Sequence, residues 1–278
     1  MPKYFISIEA AQLLRDNISN NTFDEISDDI STNYSTAVSV FDFNGELEHH
    51  LVKVLRIRVG EEVLLCDGRG TDFYCVVTHT APLMLATKSI CLCKTEPDYK
   101  VTLYQGMPKA GKMELIIQKA VELGVWAIVP VIMERSVSHS KKEKRYQKIA
   151  EAAAGQSMRG IIPKVYPPMS WKEAFSQKPI ERIMLAAYEN EEERTLKGTL
   201  REIENWKSCI NEQMGQIMQK RQNDVGVWIG PEGGFSEREV REMQNEDFKL
   251  FSLGPRILRT ETAGIAALAQ FFILNTDF

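Results

Sequence analysis

Val225-Gly226-Val227-Trp228-Ile229-Gly230-Pro231-Glu232-Gly233-Gly234-Phe235-Ser236 is the stretch that decides the fold class. Val225–Ile229 is short and apolar, the pattern of a buried strand. Gly230-Pro231 then turns the chain rigidly, and Gly233-Gly234 leads into Ser236-x-x-Glu239, a capping box that opens a helix. A strand, a tight glycine-rich turn and a capped helix in succession form half of a strand–helix–strand unit.

The same grammar extends on both sides. Downstream, Lys249–Leu253 is predicted as a last strand. It runs into Leu253-Gly254-Pro255-Arg256-Ile257-Leu258-Arg259-Thr260-Glu261-Thr262-Ala263. Thr262–Asn275 follows as a helix apolar nearly all round, of the kind buried in a core or a subunit interface. Upstream, Ile183–Tyr188 reads as a strand and Glu191–Gln222 as mainly helical and exposed. Before that come a strand at Val101–Gln105, a helix at Lys112–Leu123 ended by Gly124, and the continuous apolar run Val125–Met133. A basic helix over Lys141–Met158 and a capping box at Ser170-x-x-Glu173 complete the series. Strands alternating with helices predict a mostly parallel sheet covered on both faces.

The N-terminal third reads differently. From about Leu51 to Thr95 it is β-rich, with strands at Glu61–Cys66, Asp72–His79 and Met84–Cys93 and a turn at Asp67-Gly68-Arg69-Gly70. A small barrel or a sandwich fits this pattern. Asn17–Asn44 is polar and acidic, a surface excursion, and Pro97-Asp98 marks a boundary. The expected organisation is a β domain over residues 1–96 and an α/β domain over 97–278.

Bulk properties narrow the class. The 278 residues are 44% hydrophobic and 26% charged, ample for a core. A net charge of −4 rules out a global basic field, so any nucleic-acid contact must rest on local clusters. The five cysteines contain no CxxC pair, and the four histidines add no second ligand pair, so no metal site is expected. Met1–Asp16 lacks the charged-then-apolar run of a signal peptide, and no stretch approaches membrane-spanning length. A soluble, cytoplasmic protein is expected. GxGxxG, Walker A, GxSxG and HExxH patterns are absent.

In open parallel sheets ligands sit beyond the carboxyl ends of strands. Three such ends carry unusual loops: Leu185–Glu189, Ile229–Ser236 and Leu253–Ala263. The last holds Arg256 and Arg259 at the mouth of the apolar helix. Each loop alone reads as a tight connection; together they read as a binding site.

QGMPKAGKMELIIQKAVELGV, IGPEGGFS and LGPRILRTETA resemble the small-subunit ribosomal RNA uridine N3-methyltransferases of the SPOUT superfamily. His50–Arg56 (HLVKVLR) and Glu151–Arg159 (EAAAGQSMR) match in type and order. Asn17–Asn44 and Trp206–Gln222 exceed the family's usual length. The resemblance implies a PUA-like β-barrel for RNA binding, a C-terminal α/β domain with a trefoil knot, and a homodimer. It implies S-adenosylmethionine as cofactor, held by Leu185, Tyr188, Glu189, Ile229, Gly230, Glu232, Gly233, Gly234, Leu253, Gly254, Ile257, Leu258, Thr260, Thr262 and Ala263. Uracil N3 must lose a proton, and a fixed arginine favours the resulting anion; Arg256 and Arg259 are the candidates. For contact with small ribosomal subunit RNA the candidates are Lys53, Arg56, Arg135, Lys141, Arg145, Lys148 and Arg159. Two other readings remain: methylation of a ribose 2′-oxygen or a tRNA base, and non-catalytic RNA binding in ribosome assembly.

Overall fold

The computed structural model describes residues 3–19, 45–109, 111–137, 143–176, 183–202 and 224–275. Most of the Asn17–Asn44 excursion, Lys141, and the Trp206–Gln222 stretch lie outside these residues. The chain divides into two compact units, Met1–Glu96 with Ala154–Ile162, and Pro97–Ala153 with Pro163–Phe278.

In the first unit, β1 (Lys3–Phe5) runs parallel to β2 (Glu62–Cys66). β3 (Thr71–Thr80) pairs antiparallel with β2 and with β4 (Leu83–Leu92). Asp67 builds the β2–β3 turn: its Oδ1 accepts the N–H groups of Arg69 at 2.8 Å and Thr71 at 3.0 Å. α1 (Ile8–Ser19) packs Ala10, Ala11 and Leu14 with Leu51, Leu65, Phe73, Val77 and Leu85. The start of the expected β region is instead helical. Glu46–Glu48 leads into a wide turn over His49–Val54, where the Leu55 N–H donates to the His50 carbonyl at 3.0 Å. Leu51 is the buried residue of that turn, and its neighbours Lys53 to Arg56 face solvent.

Ala154–Ile162, which lies in the stretch assigned from sequence to the second domain, completes this unit. The buried Lys3 ammonium pairs with Asp72 at 2.8 Å and donates to the Met158 carbonyl at 3.0 Å. Gly70 N–H donates to the Gly160 carbonyl at 2.8 Å. Glu96 accepts from Arg159 Nη2 at 2.6 Å and from the N–H groups of Gly160 and Ile161 at 2.9 and 3.1 Å. Glycine is required at 160, because a Cβ there would stand 2.3 Å from Cys93 Cβ.

The second unit is a parallel sheet of order β11-β9-β10-β5-β6-β7, with β8 also on β6. Its strands are β5 (Lys100–Gly106), β6 (Ala127–Ile132), β7 (Lys164–Val165), β8 (Met169–Ser170), β9 (Ile183–Ala187), β10 (Asp224–Ile229) and β11 (Lys249–Phe251). Its helices are α2 (Lys112–Glu122), α3 (Glu143–Gln156, which runs on into the first unit's segment), α4 (Trp171–Ser176), α5 (Glu237–Asn245) and α6 (Thr260–Asn275). Pro130 sits inside β6 at no cost to the ladder. β7 pairs with Ala127 and Ile128 and β8 with Val131 and Ile132, so that edge is unpaired where the proline lacks its N–H. One face of the sheet packs Tyr104, Trp228, Trp171, Phe235 and Phe248, with Tyr104 stacked on Trp228 at 4.3 Å between centroids. α2 packs against α6, and Ile116, Ile117, Ala120, Val121, Ala267, Leu268 and Phe271 are all buried.

Candidate functional site

β11, β9 and β10 are adjacent and parallel, so the loops leaving their carboxyl ends emerge side by side. They enclose a cavity of about 820 Å³. Each loop is fastened to its neighbour. Tyr188 N–H donates to the Phe251 carbonyl at 3.0 Å, and Ser252 N–H to the Arg194 carbonyl at 2.7 Å. Thr260 Oγ1 donates to the Gly230 carbonyl at 2.6 Å.

The 230–236 turn is held from several sides. Ser236 caps α5 through a complete box: its side chain accepts the Glu239 N–H, and Glu239 accepts the Ser236 N–H. Fully buried Glu239 also accepts the Glu134 N–H at 2.9 Å. Arg135 Nη1 donates to the Gly233 carbonyl at 2.8 Å. From the other side Glu232 accepts the Lys109 N–H at 2.9 Å, and Lys112 Nζ lies 3.3 Å from Glu232 and 3.1 Å from Glu261.

This Lys112 clamp is electrostatically settled. Burial pushes the Glu232 carboxyl up, but the Lys109 and Glu232 N–H groups and the Lys112 ammonium outweigh it and hold it below its ordinary value. Glu261 is lowered likewise, against burial, by its own N–H, by Lys112 and by Arg259. Glu261 first, then Glu232, raise Lys112 above its ordinary value against desolvation, which lowers it.

Of the expected cofactor residues, Tyr188, Glu189, Ile229, Gly230, Glu232, Gly234, Leu253, Gly254, Ile257, Leu258, Thr260 and Ala263 line the cavity. Arg256 and Arg259 line it too, and both are exposed. Three expected residues do not line it. Leu185 is fully buried inside β9. Gly233 faces the Arg135 side chain, 3.0 Å from where its Cβ would stand. Thr262 is on the exposed face of the first turn of α6. Sequence reasoning missed Lys112, Glu191, Glu192, Thr195 and Ser252, which also line the cavity. The signal for Lys112 was its place in the QGMPKAGKMEL segment, whose role no local pattern discloses.

The expected RNA-contacting residues separate. Lys53 and Arg56 are exposed on the first unit, and Lys148 is exposed on α3. Arg145 is exposed but paired with Glu114 at 2.6 Å. Lys141 lies outside the described residues. Arg159 corrects the sequence reading: its side chain is 3% exposed and bound to Glu96, so its charge is spent inside the first unit.

A family model described as an RNA methyltransferase domain matches residues 95–271, and one described as an RNA methyltransferase PUA domain matches residues 43–82. Both place the chain among RNA methyltransferases. The ribosomal RNA small subunit methyltransferase E of Bacillus subtilis is 32% identical over 241 residues, covering 82% of this chain and 88% of the relative. That of Mesomycoplasma hyopneumoniae is 34% identical over 223 residues, covering 77% and 87%. The solved ribosomal RNA small subunit methyltransferase E from Neisseria gonorrhoeae, bound to S-adenosyl methionine, has 27% identity and a TM-score of 0.71 over 99% of this chain and 98% of that one. The chain belongs to the ribosomal RNA small subunit methyltransferase E family.

Proposed function

We propose that this protein transfers a methyl group from S-adenosylmethionine to N3 of a uridine in small ribosomal subunit RNA, acting in the cytoplasm as a homodimer. The observation that carries the reading is the convergence of three strand-end loops on one open cavity. The residues present fit the donor. Gly230, Gly234 and Gly254 keep side chains out of the cradle, and Glu189, Glu191, Glu192 and Glu232 offer carboxylates to a cationic ligand. The donor supplies an electrophilic methyl group on a sulfonium, so the protein's work is alignment and charge stabilisation.

Tyr188, Gly230, Leu253, Leu258 and Thr260 would hold the adenosine part, with backbone groups exposed by the glycines. The uracil N3 proton would pass to solvent first, leaving negative charge over the flanking carbonyl oxygens, and the nitrogen–methyl bond would form as the sulfur–methyl bond breaks and a neutral thioether leaves. Arg256 and Arg259 would meet that charge at the cavity rim. Among the described residues neither guanidinium is held in a close ion pair, and Arg259 acts on Glu261 only through its field. RNA affinity would come from Lys53 and Arg56 on the PUA-like unit and Lys148 on α3. The homodimer is supported by α6, which buries Phe271 and Phe272 and leaves Ile273 64% exposed. No helix among the described residues is long and apolar enough to cross a membrane.

The test is incubation with methyl-labelled donor and small subunits lacking the modification, then nucleoside mass spectrometry. N3-methyluridine is expected. A 2′-O-methyl nucleoside would redirect the reading to ribose chemistry, and absence of donor binding by calorimetry would remove the enzymatic reading.

A further inference from the structure

Gln105 is the last residue but one of β5 and is fully buried, behind the wall of the cavity and outside its lining. Its Nε2 donates to Thr260 Oγ1 at 2.9 Å and to the Gly106 carbonyl at 3.1 Å. Thr260, itself buried, passes the polarity on by donating to the Gly230 carbonyl at 2.6 Å. The direction of this relay is fixed at both ends by carbonyl oxygens, which only accept. Were the amide turned over, its oxygen would face the Gly106 carbonyl and the Thr260 proton would be drawn away from Gly230.

The arrangement does not serve stability well. Gln105 Oε1 is buried with no hydrogen-bond partner among the described residues, and a Cβ on Gly264 would stand 2.8 Å from it. An apolar residue of the same length would fill this space with no orphaned oxygen. The use of an amide here lies in what it orients. Gly230 and Thr260 both line the cavity, and the peptide between Gly230 and Pro231 has no N–H, so its carbonyl is its only polar handle.

We propose that Gln105 is a positioning residue for the methyl donor: through the Thr260 hydroxyl it sets the tilt of the Gly230–Pro231 peptide and hence the shape of the donor cradle. This rests on the reading of the cavity as the donor site. Tilting that peptide moves the turn behind it, because Gly230 is packed against the Gly234 backbone, 3.0 Å from where its Cβ would stand.

The experiment is calorimetry with S-adenosylmethionine on the full chain and on Gln105→Met, Thr260→Val, Thr260→Ser and the Gln105→Met/Thr260→Val double variant. Steady-state kinetics accompany it. Gln105→Met and Thr260→Val should each weaken donor binding about tenfold, the worth of one lost hydrogen bond. Thr260→Ser, which keeps the hydroxyl and gives up only a methyl group of the cavity lining, should bind the donor more tightly than Thr260→Val does. The double variant should be no weaker than the weaker single one, since both break the same relay. KM should rise for the donor and stay constant for RNA. If Gln105→Met fails to fold, the Thr260 pair reads the same relay from its other end. Donor binding by Gln105→Met equal to that of the unaltered chain, additive losses in the double variant, or Thr260→Ser as weak as Thr260→Val would each overturn the proposal alone. An unaltered chain that binds no donor would overturn the cavity's reading and the proposal with it.

Discussion

At the scale of the residue, the cradle depends on absent side chains and on one lysine. Gly234 has φ +66°, and a Cβ there would stand 2.6 Å from Glu189 Oε1. Gly234→Ala should therefore drive Glu189 into the donor's space as well as impose left-handed strain of about 1–2 kcal/mol. Gly254, with φ +107° and nothing within 4 Å, isolates the part played by Glu189: Gly254→Ala should strain the backbone and add a methyl group to the cavity lining without displacing a side chain. Calorimetry should show the larger loss of donor affinity for Gly234→Ala; equal losses would show that displacing Glu189 adds nothing. The Lys112 clamp gives a pH prediction. Lys112 is raised, so its contribution is complete below its ordinary 10.5 and lost as pH rises through its folded value. Glu232 and Glu261 are lowered, so theirs is complete above their ordinary 4.5 and lost as pH falls through their folded values. The Tm difference between the unaltered chain and Lys112→Met should thus stay constant from about pH 6 to 9 and shrink in acid. The glycines and arginines of the loops were legible because their types restrict what they can do. Lys112 was not, because its partners come from two distant loops that only the fold brings together.

At the scale of the element, the strongest device is the capped start of α5. Glu239 takes the N–H groups of both Ser236 and Glu134 while fully buried. Glu239→Ala should strand the buried Ser236 N–H and the part-buried Glu134 N–H and cost about 2–4 kcal/mol, read as a lower urea midpoint. Donor affinity should fall with it, because the same box sets the 230–236 turn. The capping boxes at Ser170 and Ser236 were legible, since the residues that close them are three apart. The strands β5, β6, β9 and β10 were legible as apolar runs. β1 and α1 escaped notice. β1 is three residues long and pairs with a strand far along the chain, and nothing local announces it. The β-rich stretch expected from about Leu51 has its first strand at β2, where the sequence puts it, and Leu51 itself lies in a helical turn.

At the scale of the whole molecule, charge and connectivity matter more than any local pattern. With the chain at −4 overall, RNA binding must run through few cations. Replacing Lys53 and Lys148 with alanine should each flatten the slope of log K against log salt by about 0.7–0.9. Arg159→Ala should instead lower Tm, because it leaves Glu96 without its buried partner. An unchanged Tm with a changed salt slope would restore Arg159 to the RNA surface. The boundary near Pro97 could be read from composition, but the role of Ala154–Ile162 could not. Its bonds to Lys3, Cys66, Gly70 and Glu96 form only in three dimensions. A fragment ending at Glu96 should accordingly show no cooperative melt by circular dichroism.

That dependence also sets an order of events during synthesis. Domains usually settle as they leave the ribosome, N-terminal first. Here the leading unit keeps the Lys3 ammonium and the Glu96 carboxylate waiting for a clasp translated much later. Until Ile162 has emerged from the exit tunnel the unit stays unlatched, so a chaperone that guards nascent chains would find its client in the half-made sheet.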